Sequence, residues 1–442
     1  MNKSAENPKD SIVFNEILNQ FKALASEFPD KRRGNNVMYS MEDAAIGALS
    51  VFFTQSPSFP AFQKTMEETK GRSNAQTVFG MNRIPCDNHI RDLLDEVSPS
   101  YVFSMFPFIL DRIKNAGILD SYRCINDNIL IAPDGTQYFT SDRIHCENCS
   151  ITKHRNGTVS YSHKAVTPVI AAPGKDKVIA LEPEFIMPQD GHKKQDCENA
   201  AGKRWLITYG KQYRELKATI LGDDLYSGHP ICSIILEQGL NFILICKPDS
   251  HKALYEWTER TEEIKTAVIR RWTGKRRETD SCRFINQIPL CDAENASEVN
   301  WCEIATTLED GRIICKNSFI TNHLITEENV IEIVMAGRSR WKVENGHNNV
   351  LKNKGYNLEH NFGHGQKYLS LLLLTFNLLA FLFHTALDMF DNKYKMLRKK
   401  LPTRKTFFDD IRALTGYICF DSWESLLDFM IQGLENKFFN TG

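Results

Sequence analysis

Asn128-Ile129-Leu130-Ile131-Ala132-Pro133-Asp134-Gly135 is the stretch that decides the fold. A short apolar run that stops at a Pro-Asp-Gly turn signal reads as a strand buried on both faces, because it is too brief for an ordinary helix. The pattern returns in Ala218-Thr219-Ile220-Leu221-Gly222, which ends at Asp223-Asp224, and again over 241–246. Residues 158–161, 165–172 and 177–181 read as further strands. Asn156-Gly157 is a hairpin turn signal between the first of the strands and the next. Helical periodicity covers 195–206 and 230–238. Strands, then helix, strand, helix, strand is the order of an α/β layer with a partly antiparallel sheet.

Around this core the pattern changes twice. Before it, helices are expected over 11–28, 41–53, 87–97 and 101–116, with Asp87 as a helix cap. Lys31, Arg32, Arg33, Lys70, Arg72 and Asn74 lie between them, either on a solvated surface or on a DNA-facing one. After it, β-like segments cover 267–272, 283–290, 301–308 and 312–320, with Asp310-Gly311 as a hairpin turn. Helical periodicity resumes over 327–353. The apolar run 369–387 is long enough to cross a membrane, but it carries Ser370, Thr375, Asn377 and His384 and is read as a buried core helix.

The 442 residues allow several domains, and 42% hydrophobic with 25% charged residues excludes a disordered scaffold. Lys and Arg number 54 against 55 Asp and Glu, so the sum of charge does not favour a nucleic-acid partner. Its distribution does: basic residues bunch at 270–277, 338–354 and 393–405. Twelve cysteines are too sparse for a disulfide scaffold, and Met1 to Pro8 has no apolar leader. The expected compartment is the cytoplasm.

Asp134 and Asp223 end apolar strands, where open α/β sheets gather ligands. Carboxylates there suit Mg²⁺, which leaves open positions for phosphate oxygens. Two ions need about three carboxylates, so a third acid is required. Glu344 is the candidate, one helical turn from Arg340 in Arg338-Ser339-Arg340-Trp341-Lys342-Val343-Glu344-Asn345. Asp224 competes with Asp223 for the second place, or caps the helix that follows.

These three segments together resemble the DDE transposases of bacterial insertion sequences, in the branch whose RNase H-like core is interrupted by a β-rich insertion. That family's signature runs Tyr, two residues, Arg, three residues, Glu, six residues, Lys. Arg340 and Glu344 fit it. Gly337 stands in the Tyr place and Leu351 in the Lys place, with Lys352 and Lys354 just beyond. The family's Asp, two residues, aromatic pattern fits Asp223 with Tyr226. The resemblance covers roughly residues 128–390.

It implies an RNase H-like mixed sheet flanked by helices, with a β-rich insertion domain and a helical N-terminal domain. The implied divisions are 1–124 for DNA binding or dimerisation, 125–248 and 326–392 for the catalytic core, 249–325 for the insertion, and 393–442 for a helical C-terminal region. The implied activity is metal-dependent DNA cleavage and strand transfer, with Asp134, Asp223 and Glu344 holding two Mg²⁺ or Mn²⁺ ions. Arg340, Lys352 and Lys354 would contact phosphate, and Trp341, Tyr356 and Trp205 would either stack on an unpaired base or pack in the core. The implied partners are double-stranded DNA (transposon terminal inverted repeats and target DNA) and a second copy of the chain, with no membrane. A bacterial, nucleoid-associated location follows. The alternatives are a catalytically inactive DNA-binding relative and a metal-dependent nuclease of the same fold.

Two further features stand outside the carboxylates. Arg270, Arg271 and Arg276, with Trp272, form either a DNA-contacting hairpin or a solvated tip. Cys146, Cys149, His154 and His163 offer the ligands of a structural Zn²⁺, the alternative being reduced, unliganded cysteines. His360 and His364 follow the Glu344 helix and read as structural or as neighbours of the active site.

Overall fold

The apolar runs do form strands, and the ends of those strands set the site. The computed structural model describes residues 12–33, 37–66, 72–188, 195–292 and 296–439; Ser11 and Lys70 lie outside them. In chain order the strands are β1 (Arg123–Cys124), β2 (Asn128–Ala132), β3 (Gly135–Ser141), β4 (Ser150–Lys153), β5 (Val159–Val166), β6 (Val169–Ala171) and β7 (Ile179–Ala180). They continue with β8 (Glu184–Ile186), β9 (Ala218–Gly222), β10 (Asn241–Ile245), β11 (Lys265–Trp272), β12 (Arg277–Pro289), β13 (Glu298–Leu308) and β14 (Ile313–Thr321).

β2 and β9 are buried along their whole length, as a strand covered by helices on both faces must be. β2 runs parallel to β9, with Ile129 opposite Ala218, and β9 parallel to β10, with Leu221 opposite Ile243. β6 pairs antiparallel with β2 and β7 antiparallel with β6. Among the described residues ten strands join one sheet, in the order β11-β12-β13-β14-β10-β9-β2-β6-β7 with β1 beside β2. A smaller sheet, β3-β5-β4 with β8 on β5, packs beside it.

Three expectations change. The run 165–172 is two strands in two sheets: β5 ends at Val166, and Pro168 precedes β6. A continuous apolar run carries no sign of a change of sheet. The Asn156-Gly157 turn joins β4 to β5, with Gly157 at φ 84°, and three of the four β4 residues are exposed, which hid that strand. The segment expected as an insertion continues the main sheet, because β14 pairs with β10 from Ile243–Thr321 to Ile245–Phe319.

The helix Leu369–Phe390 is the centre of the helical half. It is apolar and long enough to cross a membrane, yet the whole of its most apolar stretch is enclosed by protein. The helices Ile12–Ser26, Met41–Phe53, Met105–Asn115 and Asn392–Lys400 pack on it, and so does β7. Phe383 meets Phe14 at 5.4 Å and Phe53 at 5.0 Å between ring centres. Each such fully buried ring contributes about 2 kcal/mol. The N-terminal helices therefore wrap a C-terminal one instead of forming a domain of their own. Asp87 is not the cap of its helix: Cys86 holds that position, and Asp87 pairs with Arg91 at 3.1 Å from the first turn.

Buried histidines, His323 and His384 among them, work against the fold in acid. Burial holds His323, beside Thr219 Oγ1 at 3.0 Å, down at about 4. Burial, then Arg404 and Arg398, hold His384 well below its usual value. The unfolded chain takes up these protons near pH 6.5 and the folded chain refuses them, so each such histidine costs stability as pH drops below that point. His323 alone should cost about 2 kcal/mol at pH 5. The Asp134 carboxyl, pushed up to about 7, works the other way over the same interval, so the check compares variants: between pH 7 and pH 5 the urea midpoint of His323→Gln should fall less, or rise more, than that of the wild type.

Candidate active site at the carboxyl edge of the parallel strands

β2 and β9 are adjacent and parallel, so whatever follows each emerges at the same sheet edge. Asp134 comes two residues after β2 and Asp223 immediately after β9. Asp134 Oδ2 accepts a hydrogen bond from Asn348 Nδ2 at 3.1 Å, and Asn348 Oδ1 accepts one from Thr167 Oγ1 at 2.9 Å. Thr167 N–H donates to the Asp134 carbonyl at 2.9 Å, which pins the loop after β2 to the crossing between the two sheets.

The third acid arrives on a broken helix. One continuous helix was expected over 327–353. The chain instead forms a helix at Val330–Arg338, a π-helical turn at Val343–Asn348 and a short helix at Asn349–Asn353. Single π turns re-aim side chains and cluster at functional sites. Arg340 Nη2 donates to Glu344 Oε1 at 2.8 Å, while Arg340 Nη1 lies 3.7 Å from Asp134 Oδ1. One half-buried guanidinium thus bridges the first and third carboxylates.

A fourth acid was missed. Glu198 opens the helix Glu198–Arg214, and its Oε1 accepts the Gly135 N–H at 3.0 Å. A Cβ at Gly135 would displace the Glu198 carboxylate from this position. The only sequence signal was an acid at the start of an expected helix, which reads as ordinary pairing with the helix dipole.

The four acids feel one another. Burial first and Glu198 second push the Asp134 carboxyl up to about 7; Glu344 and Asp223 add to this and Arg340 opposes it. Glu198 is raised by burial and then by Asp223, with the Gly135 N–H working against both. Tyr226, buried behind the group, is pushed far up by burial, Glu198, Asp134 and Asp223. Gly202 makes room for its ring: a Cβ there would lie 2.7 Å away.

Asp223 and Asp224 part company. Asp223 Oδ1 accepts the Leu225 N–H at 2.9 Å, and its charge acts on Asp134, Glu198 and Tyr226. Asp224 caps no helix: its carboxylate takes the Lys247 N–H at 2.8 Å and the Ser250 hydroxyl, and so anchors the loop after β10.

The other candidates scatter. Trp341 is 51% exposed beside Arg340. Lys354 is exposed, whereas Lys352 pairs with Glu359 at 2.9 Å. Tyr356 does not face DNA: it is 1% exposed, and its hydroxyl contacts His384 Nδ1 at 2.7 Å and accepts from Arg404 Nη1 at 2.6 Å. Trp205 is also core, its Nε1–H donating to the Glu182 carbonyl at 2.9 Å. Arg271 pairs with Glu278 at 2.9 Å and Asp280 at 3.2 Å, and Arg276 with Glu278 at 3.0 Å, so acids on β12 offset much of that basic run. Arg270 and Trp272 stay exposed beside them.

The N- and C-terminal basic segments face inward as much as outward. Arg72 pairs with Asp421, and Asn74 is buried against Thr415 and Ile418. Lys393 pairs with Glu424 and Asp428, and Arg404 lies over the Tyr356 ring.

Cys146, Cys149 and His163 come together, but His154 does not join them. Its Nε2 meets Ser160 Oγ at 2.8 Å near the β4–β5 turn, and His364 takes the fourth place. His360 packs on the Phe362 ring instead.

No family model matches this sequence, and no curated protein matches it. Among solved structures the chain is similar to the piggyBac transposase synaptic complex with hairpin DNA, at 9% sequence identity and a TM-score of 0.43. The match covers 99% of this chain and 86% of that one. A likeness this distant says nothing of the chemistry at the four acids.

Proposed function

We propose that this chain is a DDE-type transposase, which cleaves DNA at transposon ends and joins the freed ends to target DNA. The observation that carries the reading is the convergence of Asp134, Asp223 and Glu344 on one sheet edge, with Arg340 between two of them. The strand order β7-β6-β2-β9-β10, antiparallel in its first half and parallel in its second, supports an RNase H-like core.

The residues suit a pair of hard divalent cations. The charges of Glu198, Glu344 and Asp223 act on the Asp134 carboxyl, Arg340 opposes them, and the donors are all oxygen. Bound there, Mg²⁺ or Mn²⁺ would supply Lewis-acid stabilisation of the phosphoryl oxygens and an acidified water. Asp134, Asp223 and Glu344 would hold the metal, and Glu198 would shape the cluster from behind through the Gly135 N–H. Arg340 is placed to hold a phosphate oxygen once cations take over the carboxylates. Trp341, exposed on the same turn, offers a face to an unpaired base, and Lys354 and Arg270 offer charge to the backbone. We assign the terminal repeats and target as double-stranded DNA, the active assembly as a homodimer on DNA, and the source as a bacterial insertion sequence. Twelve free cysteines suit a cytoplasmic setting.

The test is Mg²⁺-dependent nicking of a plasmid that carries the sequences flanking the gene. Nicked and then joined products support the reading. Nicks without joining make the protein a nuclease, and binding without nicking makes it an inactive relative. Glu198→Gln should weaken Mg²⁺ binding by about tenfold while leaving some activity, as expected for a group behind the ligands. Isothermal titration with Mg²⁺ measures it.

A further inference from the structure

Cys146 and Cys149 lie in the loop before β4, His163 on β5, and His364 in the loop that leads into the helix Leu369–Phe390. Their ligand atoms all fall within 4.8 Å of one another. The two sulfurs are 3.9 Å apart. His163 Nε2 is 3.5 Å from Cys146 Sγ and 3.4 Å from Cys149 Sγ, and His364 Nε2 is 3.4 Å from Cys149 Sγ. The two Nε2 atoms are 3.1 Å apart.

A tetrahedral Zn²⁺ with ordinary bond lengths sets edges of about 3.8 Å for S–S, about 3.5 Å for S–N and about 3.4 Å for N–N. The observed separations match that tetrahedron to within a few tenths of an ångström. The second ring nitrogen agrees: His364 Nδ1 donates to the Gly365 carbonyl at 2.8 Å, which leaves the Nε2 lone pair aimed at the sulfurs. The loop that carries His364 is fixed from the other side. Asp95 accepts the N–H groups of Gln366, Lys367 and Leu369 at 2.9, 3.1 and 3.0 Å, and Asn148 Nδ2 donates to the Lys367 carbonyl at 2.6 Å.

We propose that Cys146, Cys149, His163 and His364 bind one structural Zn²⁺ that ties the small sheet to the head of the buried helix. The site closes the coordination sphere with four protein ligands, so it is structural and not catalytic. It shares no residue with the carboxylate cluster and stands whether or not the chain is a transposase. Sequence spacing pointed to His154, because it is near the cysteine pair in the chain; the fold brings His364 from 215 residues beyond Cys149.

Metal analysis of the full chain, purified without chelator, tests this. About one zinc per chain is expected, lost in Cys146→Ser and in His364→Asn and kept in His154→Asn. A ligand variant that misfolds also loses metal, so the wild-type chain is stripped and titrated with Co²⁺. The expected result is a thiolate-to-cobalt absorption and the intense visible bands of a tetrahedral site, saturating at one equivalent. Wild-type protein that carries no zinc and gives no such bands overturns the proposal. So does a metal that follows His154 and not His364, or a Cys146–Cys149 disulfide in fresh protein.

Discussion

Asp134→Asn should abolish Mg²⁺-dependent cleavage while leaving the fold intact. A metal-held Lewis acid is worth several kcal/mol, and about 4 kcal/mol corresponds to a rate loss of about 10³. The substitution is nearly isosteric, and an amide oxygen still accepts from Asn348 Nδ2. It also removes one of four crowded carboxylates, so the metal-free variant should melt at or above the wild-type temperature. Asp223→Asn and Glu344→Gln should behave alike, whereas Asp224→Asn should loosen the loop after β10 and keep cleavage. Single-turnover nicking and a melting curve on the same samples separate these outcomes. If Asp224→Asn abolished cleavage and Asp223→Asn did not, the second metal ligand would be reassigned.

Gly337→Tyr should unfold the protein instead of completing the family signature. The signature that the sequence resembles has a tyrosine at this position. Here a mere Cβ would lie 2.7 Å from Phe319 Cε1 and 2.9 Å from Ile243 Cγ2, because the helix Val330–Arg338 presses its backbone onto β10 and β14. Overpacking of this kind costs about 3 kcal/mol or more when neither side can move. Gly337→Ala should already lower the denaturant midpoint. A Gly337→Tyr variant that folds with normal stability would refute the packing argument and reopen the position as a phosphate contact. Leu351, in the signature's lysine place, is wholly buried, so the phosphate role there falls outside the strict register.

The parallel strands were legible because burial on both faces writes a continuous apolar run, and the two aspartates were legible because they end such runs. The order of helices and strands from β9 to β10 followed from the same signal. What stayed hidden depends on contacts between distant segments. Glu198 looks like any acid at a helix start until Gly135 brings it under Asp134. Tyr356 and Trp205 read from sequence either as base-stacking or as core aromatics, and only the neighbours that enclose them decide for the core. The break after Arg338 lies in a stretch read as helix from its periodicity, although Asn345, Gly346, Asn348 and Asn349 within it are poor helix formers. The meander β11–β14 has the composition of a separate module, and its fusion to β10 is a pairing that no local pattern records.

The burial of the helix Leu369–Phe390 beneath helices from the start of the chain has a consequence for how the protein comes into being. During synthesis the helices Ile12–Ser26 and Met41–Phe53 are made more than 300 residues before the helix that covers them. Their apolar faces stay uncovered until the helix Leu369–Phe390 has been made. Contacts between segments so far apart along the chain slow folding, and they leave apolar surface open to a chaperone in the interval between the two.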